Sequence, residues 1–248
     1  MKIILLGHDD FASASALNTL IALCPQHDYK VFFSGPLGES ADTHPALCRL
    51  AEVDRALLDR LMLREDTASS VKHAIELPAP NSPHGLRVLK HSQPDLIISI
   101  RYRRILHEAA IAIPRHGVLN LHSGILPDYK GVMATFWAMQ NGEAEIGSSL
   151  HFIVDAGIDT GPLLDISRIR ANYQKSYLSN VLALYDDGCR KIAQALAEIE
   201  SGAKLNTSPQ NAGAGRYFSS PTATDVTDFL GKGLHLVADS DLSRAKSE

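Results

Sequence analysis

The 248-residue chain is predicted to fold as an α/β domain, a doubly wound, mostly parallel sheet with a short C-terminal extension. Three observations predict this. Short all-apolar runs recur along most of the chain, as parallel strands buried on both faces require. Segments with apolar residues at three- and four-residue spacing separate these runs, so strands and helices alternate. The first run, Ile3-Ile4-Leu5-Leu6, ends in Gly7 and passes at once into a helix-forming stretch, which is how a βα unit opens.

Residues 3–6 supply the first strand, and Phe11 to Leu23, rich in Ala, Ser and Leu, the first helix. The turn between them, Gly7-His8-Asp9-Asp10, lacks the glycine pattern that cradles a phosphate and reads as a plain turn. Lys30 to Phe33 is the second strand. Pro45 to Leu63 sets apolar residues at helical spacing among arginines and acids, a surface helix. Pro78, Pro80 and Pro83 remove backbone donors and mark a loop, followed by a short helix from Leu86 to His91. Pro94 to Ile100 is a buried strand. Arg101 to Leu106 then leads into a helix ending near Pro114, and Val118 to Leu121 is the next strand.

Met133 to Asn141 reads as a helix that stops at Asn141-Gly142. Within it, Phe136 and Trp137 read as core. Ser148 to Val154 alternates as a strand, with His151 in a structural place, and Pro162 to Ile169 begins another. Leucines and alanines from Ser176 to Ile199 predict one long amphipathic helix ending near Gly202. Residues 1–202 are accordingly expected to form the main domain, and 203–248 an extension packed on it. In that extension Tyr217 to Thr222 and a short helix to Leu230 fold back, while Asp239 to Glu248 frays.

Composition excludes several classes. A formal net charge of −4 offers no global basic field, so no nucleic-acid partner is expected. Cys24, Cys48 and Cys189 show neither paired nor metal-like spacing, so they read as buried thiols, and no metal is expected. The apolar run before Gly7 is too short for a signal-peptide core or a membrane span. A cytoplasmic setting with no membrane partner is the expectation.

Chemistry concentrates between residues 118 and 161. In Val118-Leu119-Asn120-Leu121-His122, Asn120 and His122 are two residues apart and share a face if the run is a strand. Asp159 lies 159 − 122 = 37 residues further on, and Gly157 and Gly161 around it mark a tightly shaped loop. When an amine attacks a formyl carbonyl, the oxygen gains negative charge and the nitrogen must lose a proton. Asn120 suits the oxyanion, His122 suits the proton, and Asp159 suits orientation of the imidazole. Alone, any of the three has a structural reading: a satisfied core histidine, an amide bonded to a turn, an Asx turn.

The ordered set, Asn120-x-His122 with Pro127, then Tyr129-Lys130-Gly131, then Ile158-Asp159-Thr160-Gly161, resembles the catalytic domain of the formyltransferases that use 10-formyltetrahydrofolate. That family includes glycinamide ribonucleotide, methionyl-tRNA and sugar N-formyltransferases. The resemblance is strongest from about Pro94 to Leu164. It implies a Rossmann-like formyltransferase fold, with Asn120, His122 and Asp159 as the catalytic residues and 10-formyltetrahydrofolate as formyl donor. It also implies a folate pocket lined by Arg103, Arg104, Ile105 and Leu106 on one side and by Val154, Asp155, Gly157 and Ile158 on the other. Cations are disfavoured at a helix start, so the Arg101-Tyr102-Arg103-Arg104 cluster should have another partner.

Within that resemblance the expected function is formyl transfer to a primary amine of a small molecule, an amino sugar or an amino-acid-like acceptor. The glycinamide ribonucleotide enzymes carry a Gly-Ser-rich loop where Gly7 to Asp10 stands here. Methionyl-tRNA formyltransferase normally adds a C-terminal β-barrel, which the residues after Gly202 are expected to be too few to form. The alternatives are formyltetrahydrofolate hydrolase, whose members usually begin with a regulatory domain, and a non-catalytic folate-binding protein. A homodimer is compatible with the sequence. Loops 8–12, 34–44 and 66–85 hold no motif that names the acceptor.

Overall fold

The computed structural model describes residues 1–35, 44–211 and 213–244; most of the 34–44 loop and the last four residues lie outside the described residues. Strands and helices alternate. β1 (Lys2–Gly7), α1 (Phe11–Leu23), β2 (Asp28–Phe33), α2 (Pro45–Leu63), a single turn α3 (Ser69–Lys72), β3 (Ile75–Glu76), α4 (Pro83–His91), β4 (Leu96–Ile100), α5 (Glu108–Ile111) and β5 (Val118–His122) make the first half. They are followed by β6 (Tyr129–Gly131), α6 (Ala134–Gln140), β7 (Glu145–Ile153), β8 (Leu163–Arg170), α7 (Tyr177–Leu182), α8 (Tyr185–Glu200), β9 (Arg216–Phe218), α9 (Ala223–Gly231) and α10 (Asp239–Arg244).

Seven strands form one sheet in the order β3-β2-β1-β4-β5-β7-β8. β3 to β5 are mutually parallel, whereas β7 and β8 run antiparallel at the far side. The fold is therefore the expected mostly parallel α/β sheet. Strand alternation sorts β1 between two cores: Ile3 and Leu5 join the larger cluster with α1 and α8, and Ile4 and Leu6 the smaller one beneath α4 and α5. The chain order reverses between β1 and β4, so the carboxyl ends of these strands border a crevice.

Four expectations need correction. Cys24 and Cys189 are buried as expected, but Cys48 is exposed on the surface helix α2. The helix foreseen over Ser176 to Ile199 is two, since the chain turns at Ala183 and Leu184 between α7 and α8. No Gly or Pro marks this turn, and both halves bury a tyrosine, Tyr177 and Tyr185, within the field of Arg101. The helix foreseen between Leu106 and Pro114 is only the four residues Glu108–Ile111, and the Arg101 to Leu106 segment before it is irregular, with Arg101 at φ +62°. Finally, Asp239–Arg244 is helical rather than frayed. Asp241 is buried and accepts from Ser176 Oγ at 2.7 Å, Ser179 Oγ at 2.6 Å and the Ala238 N–H at 2.7 Å.

Candidate active site

Asn120 and His122 lie on the last turn of pleat of β5 and share its face, as a period of two requires. Both line a cavity of about 320 Å³ with Asp159, which arrives on the loop after β7. The register of the antiparallel β5–β7 pair sets Asn120 directly opposite His151. The structure thus brings four polar side chains together, one of which the sequence left as structural. His151 is 1% exposed and lines the same cavity. Strand alternation in β7 carried the only signal for it, and that signal needs the partner strand to be legible.

The hydrogen bonds fix most protons. His122 Nε2 lies 2.6 Å from the Tyr129 carbonyl, which can only accept, so this nitrogen donates. Nδ1 is then the nitrogen turned to Asp159 Oδ2, at 3.5 Å. His151 Nδ1 likewise faces a carbonyl, that of Phe152, at 2.9 Å. Its Nε2 lies 3.0 Å from Asn120 Nδ2 and 3.4 Å from Asp159 Oδ1, and the same amide nitrogen lies 3.4 Å from that carboxylate oxygen. That orientation places the Asn120 amide hydrogens, not its oxygen, against the two partners.

Asp159 is the hub of the cluster. It sits in the left-handed region at φ +56° and accepts the Gly131 N–H at 2.8 Å. Burial alone would raise its pKa, yet the nearby His122 and His151 and the Gly131 N–H outweigh it and lower the carboxyl to about 2. A residue from beyond the long helices holds the loop in this conformation. Gln210 Nε2 donates to the carbonyls of Asp159 at 2.9 Å and Gly161 at 2.7 Å. Nothing in the sequence around Gln210 signals this, because its partners are backbone groups distant in the chain.

The Arg101 to Leu106 segment forms another wall. Arg101 is clamped by Asp10, with Nε and Nη2 at 3.0 and 2.8 Å from Oδ2, and Arg103 Nη2 lies 3.7 Å from the same oxygen. Asp10 is therefore the partner the arginine cluster required, and it also caps α1 by accepting the Ser13 N–H at 2.8 Å. Arg103, Arg104, Ile105 and Leu106 all line the cavity, as do Asp155, Gly157 and Ile158. Val154 does not. Strand alternation turns Ile153 into the cavity and leaves Val154 outside and 54% exposed. Asn81 braces this wall, its amide donating to the Ile105 carbonyl at 2.8 Å and accepting the His107 N–H at 2.8 Å. Among the described residues, the N–H groups of Ile105 and Leu106 have no backbone partner.

His8, after β1, donates or accepts at Ser34 Oγ, 2.8 Å away, and its pKa is lowered to about 4 by burial and by the charge of Arg103. Asp54 on α2, half-buried near Asp10, is pushed up to about 6 by desolvation and the charge of Asp10. Among the described residues no cluster of His, Cys, Asp and Glu has an arrangement that would hold a metal, and no helix is long and apolar enough to cross a membrane.

Comparison with known proteins converges on this region. The family model described as formyl transferase matches residues 73–183. A relative named methionyl-tRNA formyltransferase, from Burkholderia multivorans, is 29% identical over 216 residues, 86% of this chain and 62% of its own length. The chain thus spans less than two thirds of that relative. Glycinamide ribonucleotide transformylase 1 of Symbiobacterium toebii superposes with a TM-score of 0.58 at 16% identity, covering 84% of this chain and 93% of that one. An N-formyltransferase of Helicobacter canadensis, solved with folinic acid and dTDP-3-aminofucose, gives a TM-score of 0.53 at 20% identity over 89% of this chain and 71% of its own. The structural likenesses establish the shared fold.

Proposed function

We propose that this chain, which resembles the formyl transferases over residues 73–183, is an N-formyltransferase that moves the formyl group of 10-formyltetrahydrofolate to a primary amine of a small molecule. The observation that carries the reading is the convergence of Asn120, His122, His151 and Asp159 on one cavity whose other walls are Ile105-Leu106 and Asp155 to Ile158. Peptide N–H groups without a backbone partner beside apolar side chains suit a pterin ring, and Gly157 lets the opposite wall close on itself, since a Cβ there would lie 2.4 Å from Thr160 Oγ1. Bound there, the donor supplies an electrophilic carbonyl.

The protein's own groups do the rest. Asn120 Nδ2 carries two hydrogens; one is taken by His151 at 3.0 Å, and the other, only loosely held by Asp159 at 3.4 Å, is the hydrogen for the formyl oxygen as negative charge builds on it. His151 is then a positioning residue that fixes the amide's orientation. His122 Nδ1 takes the proton that the attacking amine must lose, Asp159 Oδ2, 3.5 Å away, stabilises it there, and the proton passes to the donor nitrogen as its bond to the formyl carbon breaks and tetrahydrofolate leaves. The Tyr129 carbonyl holds the ring while this happens.

The acceptor separates the readings. In a transferase, tetrahydrofolate release is slow alone and rises steeply with the correct amine. The assay adds amino sugars, nucleotide-linked amino sugars, amino acids and methionyl-tRNA, the last because relatives carry that name. Stimulation by methionyl-tRNA alone would replace the small-molecule acceptor, and fast release unchanged by every amine would make the protein a hydrolase. His122→Ala should lower turnover by several orders of magnitude with affinity for 5-formyltetrahydrofolate nearly unchanged. Asn120→Ala should lower it about 10²–10³-fold. Retention of a tenth of the rate by the His122 variant would refute the assignment.

A further inference from the structure

Donor and catalytic groups account for two walls of the cavity, but a third is built by β6, the residues after it and the segment beyond the long helices. β9 pairs in parallel with β6, setting Tyr217 opposite Lys130 and Phe218 opposite Gly131. Phe218 is the anchor, stacked between Tyr129 at 5.3 Å and Trp137 at 5.2 Å, with its carbonyl accepting the Val132 N–H at 2.8 Å. Tyr217 points the other way. It lines the cavity with Val132, Met133 and Ser220 and is 57% exposed, a large aromatic face on the same cavity that Asn120 and His122 line.

Contact at Gly131 ties that face to the chemistry. A Cβ at Gly131 would lie 2.8 Å from the Tyr217 ring and 2.2 Å from the Phe218 carbonyl, so the ring rests directly on the Gly131 peptide. This peptide donates its N–H to Asp159, and two residues earlier the Tyr129 carbonyl holds His122. Tyr217 itself therefore packs against the backbone that positions both catalytic groups.

We propose that Tyr217, Ser220, Val132 and Met133 form the acceptor subsite, and that its occupant is a cyclic amine whose C–H-rich or flat ring face packs on Tyr217 while a hydroxyl or ring heteroatom meets Ser220. The inference rests on the transferase reading above. An exposed aromatic face at a cavity mouth gains from being covered by another ring, and Tyr217 stands on a different segment of the chain from the Ile105-Leu106 and Asp155 to Ile158 walls that the donor reading uses. Val132 and Met133 lie within residues 73–183 and Tyr217 and Ser220 outside them, so the subsite joins the matched segment to the chain beyond it.

The test uses the full chain with Tyr217→Ala and Tyr217→Phe, reading tetrahydrofolate release against glucosamine, 5′-amino-5′-deoxyuridine and, as an open-chain control, ethanolamine. The expected result is a KM for the cyclic amines about tenfold higher in the alanine variant, with kcat, the ethanolamine response and the Kd for 5-formyltetrahydrofolate unchanged, and wild-type behaviour in the phenylalanine variant. Calorimetric titration of the same amines onto the 5-formyltetrahydrofolate complex gives a binding readout for any that turn over slowly, with the same tenfold weakening expected. An unchanged cyclic-amine KM and Kd in Tyr217→Ala, or parallel losses of kcat and folate affinity, would overturn the subsite and leave the transferase reading standing. Failure of the wild-type protein to bind 5-formyltetrahydrofolate would instead remove that reading, and the subsite with it.

Discussion

Asp159 carries charge, strain and burial at one position. Its carboxyl titrates at about 2 in the folded protein, against an ordinary value near 3.8. A depressed carboxyl contributes stability that is present above its unfolded pKa and lost as pH falls through the folded one, so its contribution should fade between about pH 4 and 2. Asparagine tolerates φ of +56° and keeps the shape, so Asp159→Asn isolates the charge. We expect a loss of roughly 2 kcal/mol at pH 7, a flatter acid limb in urea midpoints, and a large fall in turnover. His8 and Asp54 should show opposite signs across the next pH window. His8 titrates at about 4, burial and Arg103 disfavouring its cation, so the unfolded chain binds the extra proton and stability rises from about pH 4 to 6.5. Asp54 titrates at about 6 through burial and the charge of Asp10, so the folded chain binds the extra proton and stability falls from about pH 4 to 6. His8→Asn removes the first slope and leaves the second, and its urea midpoint should decline from pH 4 to 6 relative to wild type.

At the scale of elements, the three-residue strand β6 matters more than its length suggests. Its carbonyl at Tyr129 and N–H at Gly131 hold His122 and Asp159, and β9 holds it in turn. Gly131 has φ of +96° and no space for a Cβ, whereas Gly142, at φ +76° after α6, has nothing within 4 Å. Gly142→Ala should therefore cost only the conformational strain, about 1 kcal/mol, with activity intact. Gly131→Ala must in addition separate β6 from β9. Thermal unfolding and turnover should fall together in that variant, and a Gly131→Ala protein as active as Gly142→Ala would refute the coupling of β6 to the site. Helix α1 shows the same economy, because Asp10 both caps it and clamps Arg101.

For the molecule as a whole, residues after Gly202 brace the site from several directions. Ser208 pairs with Leu163 through two 2.8 Å hydrogen bonds at the start of β8, and Gln210 caps the Asp159 loop. Phe229 of α9 stacks on Phe136 at 4.5 Å in the main core, and Asp241 of α10 anchors α7. We take residues 203–248 as an extension that belongs to the same cooperative unit. A chain ending at Gly202 should lose cooperative unfolding and activity, read by near-ultraviolet circular dichroism and tetrahydrofolate release. Phe229→Ala, which empties one core position, should cost about 3–5 kcal/mol with a single transition retained. A folded, active 1–202 chain would show the extension to be dispensable.

The sequence by itself determined what depends on local pattern. Apolar runs set β1, β4 and β5, because strands buried on both faces need nothing beyond their own residues to be recognised. A spacing of two set Asn120 and His122 on one face of β5. Tertiary structure decided whatever depends on a partner far along the chain. His151 joins the cluster only through the β5–β7 register, Asp10 meets the arginines only across the β1–β4 crevice, and Gln210 and Tyr217 arrive by pairings with backbone that no local pattern encodes. The resemblance placed Val154 at the cavity, where alternation puts Ile153 instead, and the weak pattern of the last residues hid the helix Asp239 to Arg244, whose Asp241 carboxylate accepts from two serines of another segment. Period and propensity act over a few residues, whereas a hydrogen bond between residues 51 apart exists only once the fold has closed.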